Sequence, residues 1–467
     1  MGRELRRNAT GLLGLLYNSL AGQAPTYSIA GGAALIMSTA YAAAPLAMLL
    51  TTLGVMTMVY AIYVLSKRYP NAASFYAYPA NALNSYMGFL NGMIYIIYSL
   101  IGLSSVAIAF SYLSTEAIYA VTGAVINPLL LVLIPLVAAM LISIKGIRIS
   151  IRTEALLTSI EIIILALFIA LTIYGKWREA SLFPFTPAAT YGGTISGVLA
   201  GIGGGLLFSV TYFMGFETST QIAEEARKPG ETVPRATLFA TLLMGLLYIA
   251  VTYVILLNIG FSEGSINEFV TAAEGFGVNP IFTLIRHYLG FWGLTAFSLS
   301  VIFSVFGCYL ATLNATARML FGMARDELLP KRLSKIHGKY LTPVTAIYAS
   351  TIIAGAVLVP SYIASWILGA SNWVQLTYGA MEYTYAVDSL YYVLSLAIIA
   401  VAAFKVVGNY GKVVTIGGAA LMMVTFYESA QYMPVDYLVI ASVALLIMIE
   451  VIALRTKLRD LRVTTSI

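Results

Sequence analysis

The 467-residue chain has little of the chemistry that enzymes and soluble proteins rely on. Its single cysteine, Cys308, excludes an intrachain disulfide and says little about redox compartment. Its two histidines, His287 and His337, lie far apart in sequence and form no motif. We read both as surface residues and expect no metal and no cofactor. No nucleophile–base pair, phosphate-cradling loop or cluster of metal ligands interrupts the apolar segments, which weighs against an enzyme. No ring-forming filter sequence is visible, which weighs against a channel. Charged residues make up only 10% of the chain, against roughly 25% in soluble globular proteins. The basic start MGRELRR leads into a long segment without an early small-residue cleavage site, so we expect a first helix that serves as its own insertion signal.

What the chain does have is apolar length. Hydrophobic residues make up 60% of it and the mean hydropathy is +0.88. Many runs approach the roughly 20 residues needed to cross a bilayer. The formal net charge is +6, but the basic residues sit in short loops between apolar runs. That placement reads as membrane topology and lipid contact, not nucleic-acid binding. We expect an all-α polytopic membrane protein with twelve transmembrane helices. The first five cover about 12–38, 44–65, 85–112, 126–144 and 154–174, and the sixth enters through 204–215. The remainder cover about 236–257, 294–319, 344–368, 373–404, 412–425 and 435–454. With the N-terminus in the cytoplasm and loops alternating, 23 of the 26 lysines and arginines fall inside, leaving Lys176, Arg178 and Arg286 outside. Moving the register by one span destroys this asymmetry. Cell-membrane placement with both termini cytoplasmic is therefore expected.

One stretch organises the rest: residues 204–234, GGLLFSVTYFMGFETSTQIAEEARKPGETVP. Gly215 and Glu217 sit where a continuous lipid-facing helix gains nothing from either. An interrupted helix buried in a bundle can use both, the glycine for close backbone approach and the broken end for its free amides. Segment 1 carries a second interruption in SLAGQAPTYSIAGG, where Gly22, Gln23 and Pro25 break the apolar pattern; a simple kink is the alternative. The two breaks are five segments apart. An inverted repeat of five helices brings them together near the midplane, where amides suit a carboxylate and free carbonyls suit an ammonium group.

Further features are weaker. Glu161, in TSIEIIILALF, lies about two turns into segment 5, and snorkelling to the nearer surface is the alternative to a buried role. Asp388 lies near the middle of segment 10 and is the stronger candidate for a functional buried acid, with Glu382 nearer the outer interface. Tyr76, Tyr78 and Tyr86 suggest an interfacial belt. The connector 261–290 suggests short surface helices, as a lid or an inert cap. Pro360 marks an interruption or boundary in segment 9.

Three motifs then carry a resemblance. RYPNAASFYAY, TYFMGFETSTQIAEEARKPGETVPRA and NATARMLFGMARDELLPKRLSKIHGKYLTP resemble the approach to helix 3, helix 6 with its loop, and the end of helix 8 in the amino acid–polyamine–organocation (APC) superfamily permeases. The twelve-helix outline covers nearly the whole chain. The resemblance implies a LeuT-like 5+5 inverted repeat with discontinuous helices 1 and 6, alternating access, and an amino acid or small amine as substrate. It divides the chain into a cytoplasmic arm (1–8), first repeat (9–175), second repeat (176–407), helices 11 and 12 (408–454) and a cytoplasmic tail (455–467). It implies that Ala21, Gly22, Gln23 and Ala24 in one break, and Tyr212, Phe213, Met214 and Gly215 in the other, surround the substrate. Phe213 falls where the family places an aromatic gate. The sequence AGQAP departs from the family's glycine–small–glycine pattern. Some proton-coupled members place a lysine in helix 5 where Glu161 falls here. Burial favours the protonated form of a carboxylate, so proton coupling through Glu161, with Asp388 as a second acid, is the favoured expectation. Ser300 and Ser304 leave a sodium site open. Exchange transport and a non-transporting amino acid sensor are also compatible with the resemblance.

The charge asymmetry makes the orientation testable. With Cys308 removed and single cysteines introduced, impermeant labelling of intact cells should reach positions beside Lys176 and Arg286 and spare those beside Lys145, Arg227 and Lys335. Strong labelling beside Lys335 with none beside Arg286 reverses the orientation.

Overall fold

Backbone amides and carbonyls find no partner in hydrocarbon, so an apolar chain of this kind spans as helices. The structure, a computed structural model, describes residues 4–277 and 279–432. Two helices come first, α1 (Leu12–Gln23) and α2 (Pro25–Ala40), followed by α3 (Ala44–Arg68), α4 (Ser74–Ala82) and α5 (Ser85–Thr122). Then come α6 (Leu133–Ile144), α7 (Ile147–Lys176), α8 (Ile195–Thr211), a 3-10 helix (Thr218–Glu225), α9 (Pro229–Ile259) and α10 (Glu263–Glu274). The series ends with α11 (Pro280–Arg325), α12 (Val344–Ile367), α13 (Trp373–Val406) and α14 (Asn409–Tyr432). By length and composition, eight helical stretches among the described residues can cross a membrane, the first, Leu12–Arg68, holding α1 to α3. Pro128–Ile144 and Ile195–Thr211 are shorter apolar helices. The chain is an all-α polytopic membrane protein. The expected twelfth span and the C-terminal tail lie outside the described residues.

Side chains set the helix starts. Asn84 accepts from the Met87 amide at α5, Thr194 from Gly197 at α8, and Asn372 from Val374 and Gln375 at α13. Pro25 and Pro229 occupy first helical positions, where a missing amide costs nothing. α5 packs on α13 and α11, α11 on α7, and α3 on α9. α1 and α2 are enclosed by this bundle, packing on α9, α7, α11 and α8. Apolar side chains on the outside of α12, including Ile352, Val359, Ile363 and Trp366, are exposed, as suits a face turned to lipid.

Three expectations change. α7 starts at Ile147, so the basic run after Lys145 is already helix and Glu161 lies about four turns in. It is 1% exposed, which removes the snorkelling alternative. The helix α12 runs through Pro360 without interruption. Tyr76 and Tyr78 do not form an interfacial belt: both are buried because α4 tucks against α5, where the Phe75 and Tyr95 rings lie tilted to each other with centroids 4.4 Å apart, and only Tyr86 is exposed. Pro25 begins a new helix after Ala24 in the left-handed region (φ 45, ψ 72), so segment 1 is two helices and not one kinked helix. The 261–290 connector does hold helix, in α10 and in the first part of α11, which is divided from the rest at Gly290 (φ 65).

The end of the bundle that carries the basic loops is locked by charge pairs. Arg318 of α11 pairs with Glu225 at the end of the 3-10 helix, with both side chains buried. Arg325 clasps Glu224 through two bonds of 2.8 and 2.9 Å. The N-terminal arm closes over them, the Ala9 amide donating to the Glu225 carbonyl at 2.7 Å and the Arg227 amide to the Thr10 carbonyl at 2.8 Å. Arg318→Ala leaves a buried carboxylate uncompensated, a loss of about 3–5 kcal/mol. It should lower the thermal unfolding temperature in detergent, and adding Glu225→Gln should recover part of the loss. Full additivity of the two substitutions contradicts a direct pair.

Candidate functional site

The site is built where two helices stop. α1 ends at Gln23 and α8 at Thr211, and the chain after α8 turns through Tyr212–Glu217 before the 3-10 helix begins. Their backbones touch. A Cβ on Gly22 would stand 2.6 Å from the Gly215 carbonyl oxygen, and one on Gly215 only 2.5 Å from that of Gly22. Gly215 also has φ +92, a conformation that L side chains rarely adopt. The carbonyls freed by the breaks are not left bare. Tyr248 and Ser28 hydroxyls donate to Gln23 O at 2.8 and 3.0 Å, the Cys308 thiol donates to Gly22 O at 3.3 Å, and the Thr218 hydroxyl donates to Gly215 O at 2.9 Å. The Ser19 hydroxyl reaches that of Ser219 at 2.8 Å.

Beside this contact lies a cavity of about 440 Å³. Its lining runs from Gly22 along α2 to Leu35, from Gly215 back along α8 to Leu207, and from Ser389 back along α13 to Tyr378. It therefore extends away from the end locked by Arg318 and Glu225. Of the residues that the sequence points to, Gly22, Gln23, Ala24, Tyr212, Met214, Gly215 and Asp388 line it. Ala21 and Phe213 do not: each is 1% exposed within the packed interior, and the Phe213 ring stands edge-on to Tyr248 at 5.6 Å. Glu382, placed near the outer interface by sequence, also lines the cavity. Tyr27, Tyr98, Cys308, Met381 and Tyr385 line it too, and sequence reasoning misses them. Their spacing holds a signal for some of them. Residues 381, 385 and 388 fall on one face of a helix, so the acid in segment 10 points to its neighbours. Tyr27 and Tyr98 sit in apolar runs with no such marker.

A second cluster forms behind the first break. Glu161 of α7 faces the start of α2, its Oε2 accepting from the Thr26 amide at 3.3 Å and lying 3.1 Å from the Thr26 hydroxyl. That hydroxyl is also 3.0 Å from the Ser300 carbonyl of α11, and the Ser304 hydroxyl accepts from the Tyr27 amide at 3.1 Å. Glu161, far in sequence from Ser300 and Ser304, thus meets them around one helix terminus. The Thr26 hydroxyl has a single hydrogen for two acceptors, and a proton on Glu161 turns both contacts into hydrogen bonds at once.

The same bonds change one expectation. The sequence suggests that the amides at the start of α2 are free for an anion. Pro25 has none, Thr26 is bonded to Glu161, Tyr27 to Ser304, and Ser28 to the Ala24 carbonyl at 2.9 Å. The physical reason is that an amide without a partner in this interior costs free energy, and the neighbouring groups meet that cost from within. At the second break Glu217 is fully buried, held by the Tyr95 and Tyr392 hydroxyls at 3.1 and 3.0 Å. His287 and His337 are exposed, and no group of three or more potential metal ligands occurs among the described residues.

Comparison with known proteins gives a consistent frame. Residues 14–458 match the family model of amino acid permeases, a transporter family and not an enzyme family. The branched-chain amino acid permease BcaP of Bacillus subtilis is 26% identical over 297 residues, 59% of this chain and 58% of that protein. The methylthioribose transporter of the same organism is 26% identical over 311 residues, 62% of each. The low-affinity putrescine importer PlaP of Escherichia coli is 23% identical over 329 residues, 68% of this chain and 65% of that protein. The matches thus span about three-fifths of these relatives' length. Among solved structures, MhsT in complex with L-phenylalanine aligns with TM-score 0.54 at 15% identity, covering 92% of this chain and 100% of that one. A manganese transporter of Eremococcus coleocola gives 0.54 at 12% identity, covering 95% and 93%. These similarities establish a shared fold.

The glycine contact yields a direct test. Gly215→Val places a branched side chain into the Gly22 carbonyl and should separate the two breaks, lowering thermal stability while folded protein stays detectable. Gly307→Ala, whose new Cβ meets only Ala21 at 3.8 Å, is the control and should be neutral. Equal unfolding temperatures for Gly215→Val and wild type contradict the contact.

Proposed function

Because this chain belongs to the amino acid permease family, we propose that it is a secondary active transporter that moves amino acids or related amines by alternating access. The observation that carries this reading is the cavity at the meeting of two interrupted helices, extending away from the end that the buried Arg318–Glu225 pair and the half-buried Arg325–Glu224 pair hold together. In this reading the twelve spans form an inverted repeat of five plus five helices, with α1 and α2 as the discontinuous first helix and α8 with the 3-10 helix as the sixth. Both termini are cytoplasmic, so the Arg318–Glu225 end is the cytoplasmic gate and the cavity belongs to an outward-directed state. Reopening the cytoplasmic end requires the 3-10 helix to part from α11, breaking both ion pairs. Gly22, Gln23, Ala24, Tyr212, Met214 and Gly215 surround the cargo. Ala21 and Phe213 act from behind, Phe213 by bracing the break through Tyr248.

Glu161 is the coupling group in this reading. It bonds to the first residue after the proline of α2, so its protonation state bears directly on how tightly α2 holds to α7 and α11. Protonated, it clasps Thr26 without a buried net charge; on opening to water it releases the proton and loosens the break. The oxygens of Thr26, Ser300 and Ser304 around a deprotonated Glu161 also suit a sodium ion, which is the second reading of the same cluster. Uptake into sealed vesicles under separate proton and sodium gradients distinguishes the two. Glu161→Gln should abolish uphill, proton-driven uptake and retain exchange down a substrate gradient. Undiminished proton-driven accumulation in Glu161→Gln removes Glu161 from the mechanism. Wild-type accumulation that needs sodium at fixed pH and ignores the proton gradient overturns proton coupling in favour of the cation site.

A further inference from the structure

The transport reading leaves the chemistry of the cargo open between zwitterions and simple amines, and the cavity wall bears on that choice. Asp388 lines it and is 3% exposed. Its Oδ1 receives the Ser389 hydroxyl at a long 3.4 Å, and that hydroxyl lies closer, 2.7 Å, to the Tyr385 carbonyl. Its Oδ2 stands over Gly102, 3.3 Å from where a Cβ would lie, so the glycine leaves room at that oxygen. No lysine or arginine lies within ion-pair distance of Asp388 among the described residues. Glu382 lies on the same wall, and the lining contains no lysine, arginine or histidine. The remaining walls are rich in rings, among them Tyr27, Tyr98 and Tyr385. Carboxylate and aromatic faces together suit an organic cation.

The second, independent observation concerns the other half of a zwitterion. A carboxylate entering the cavity finds no cationic side chain in the lining, and the N-terminal amides of α2 are already bonded to Glu161, Ser304 and the Ala24 carbonyl. A carboxylate brought beside Asp388 and Glu382 finds two further carboxyl groups and no cation to offset its charge.

We infer that the cavity recognises an aliphatic amine cation that has no carboxylate, an alkyl amine or diamine, with Asp388 taking the ammonium group. This rests on the transporter reading and narrows its cargo. Asp388 is then a specificity-determining residue and not the coupling acid.

The test uses the purified full-length protein in proteoliposomes, with labelled 1,4-diaminobutane and labelled leucine as separate probes. Saturable uptake of 1,4-diaminobutane, unaffected by excess leucine, is expected. Asp388→Asn should raise its KM about tenfold or more, the scale of a lost charge-assisted hydrogen bond, while Asp388→Glu, which keeps the charge, should retain most uptake. Saturable leucine uptake with no competition from 1,4-diaminobutane, or an unchanged KM in Asp388→Asn, overturns the inference and leaves the transporter reading standing. Absence of saturable uptake for both probes and for a wider panel of amino acids and amines overturns both. If Asp388→Asn does not fold, ligand protection of the wild type decides: 1,4-diaminobutane should raise its unfolding temperature and leucine should not, and the reverse result overturns the inference.

Discussion

Gly22 and Gly215 press two pieces of broken backbone together with no side chain between them. In a membrane interior such a contact is demanding, because every amide and carbonyl released from a helix needs another partner. Here the partners come from four surrounding elements: Tyr248 on α9, Cys308 on α11, Thr218 on the 3-10 helix and Glu161 on α7. The breaks are therefore supported by the bundle around them, and α1, α2 and α8 are positioned by the helices that satisfy their ends. The cavity is a geometric consequence. Two helices that stop at the same depth leave a space that continuous helices would fill.

The buried acids divide according to what surrounds them. Glu224 and Glu225 meet arginines and act as a latch at one end of the bundle. Glu154 accepts from the Asn18 side-chain amide at 2.9 Å and so ties α7 to α1 near that latch. Glu161 meets an amide and hydroxyls at the start of α2, and Glu217 meets two tyrosines at the second break. Asp388 meets the cavity. Carboxyl groups thus serve structural pairing and the bracing of helix ends, and one of them lines the cavity. The difference is the partner within reach, which depends on how α7, α11 and α13 pack around the breaks.

The sequence by itself determined the membrane class, the approximate positions of the spans and the places where two of them are interrupted. These are local properties. Hydropathy over about 20 residues sets a span, and Gly22, Pro25 and Gly215 alter the backbone at their own positions. Only the tertiary structure decided which residues meet. Thr26, Glu161, Ser300 and Ser304 come from three separate helices, and no spacing in the chain announces that they share one helix terminus. Tyr76 and Tyr78 read as interfacial because tyrosine often is, yet packing of α4 against α5 buries them. Pro360 signals a break locally, and its helix continues regardless. Glu161 reads as shallow because charged Arg148 and Arg152 resemble a loop, although they lie on the first turns of α7. That the α2 amides are already occupied was likewise invisible, since the side chains that bond them lie on α7 and α11. In each case the deciding quantity is a distance between helices, which depends on the packing of the whole bundle and on no single stretch of the chain.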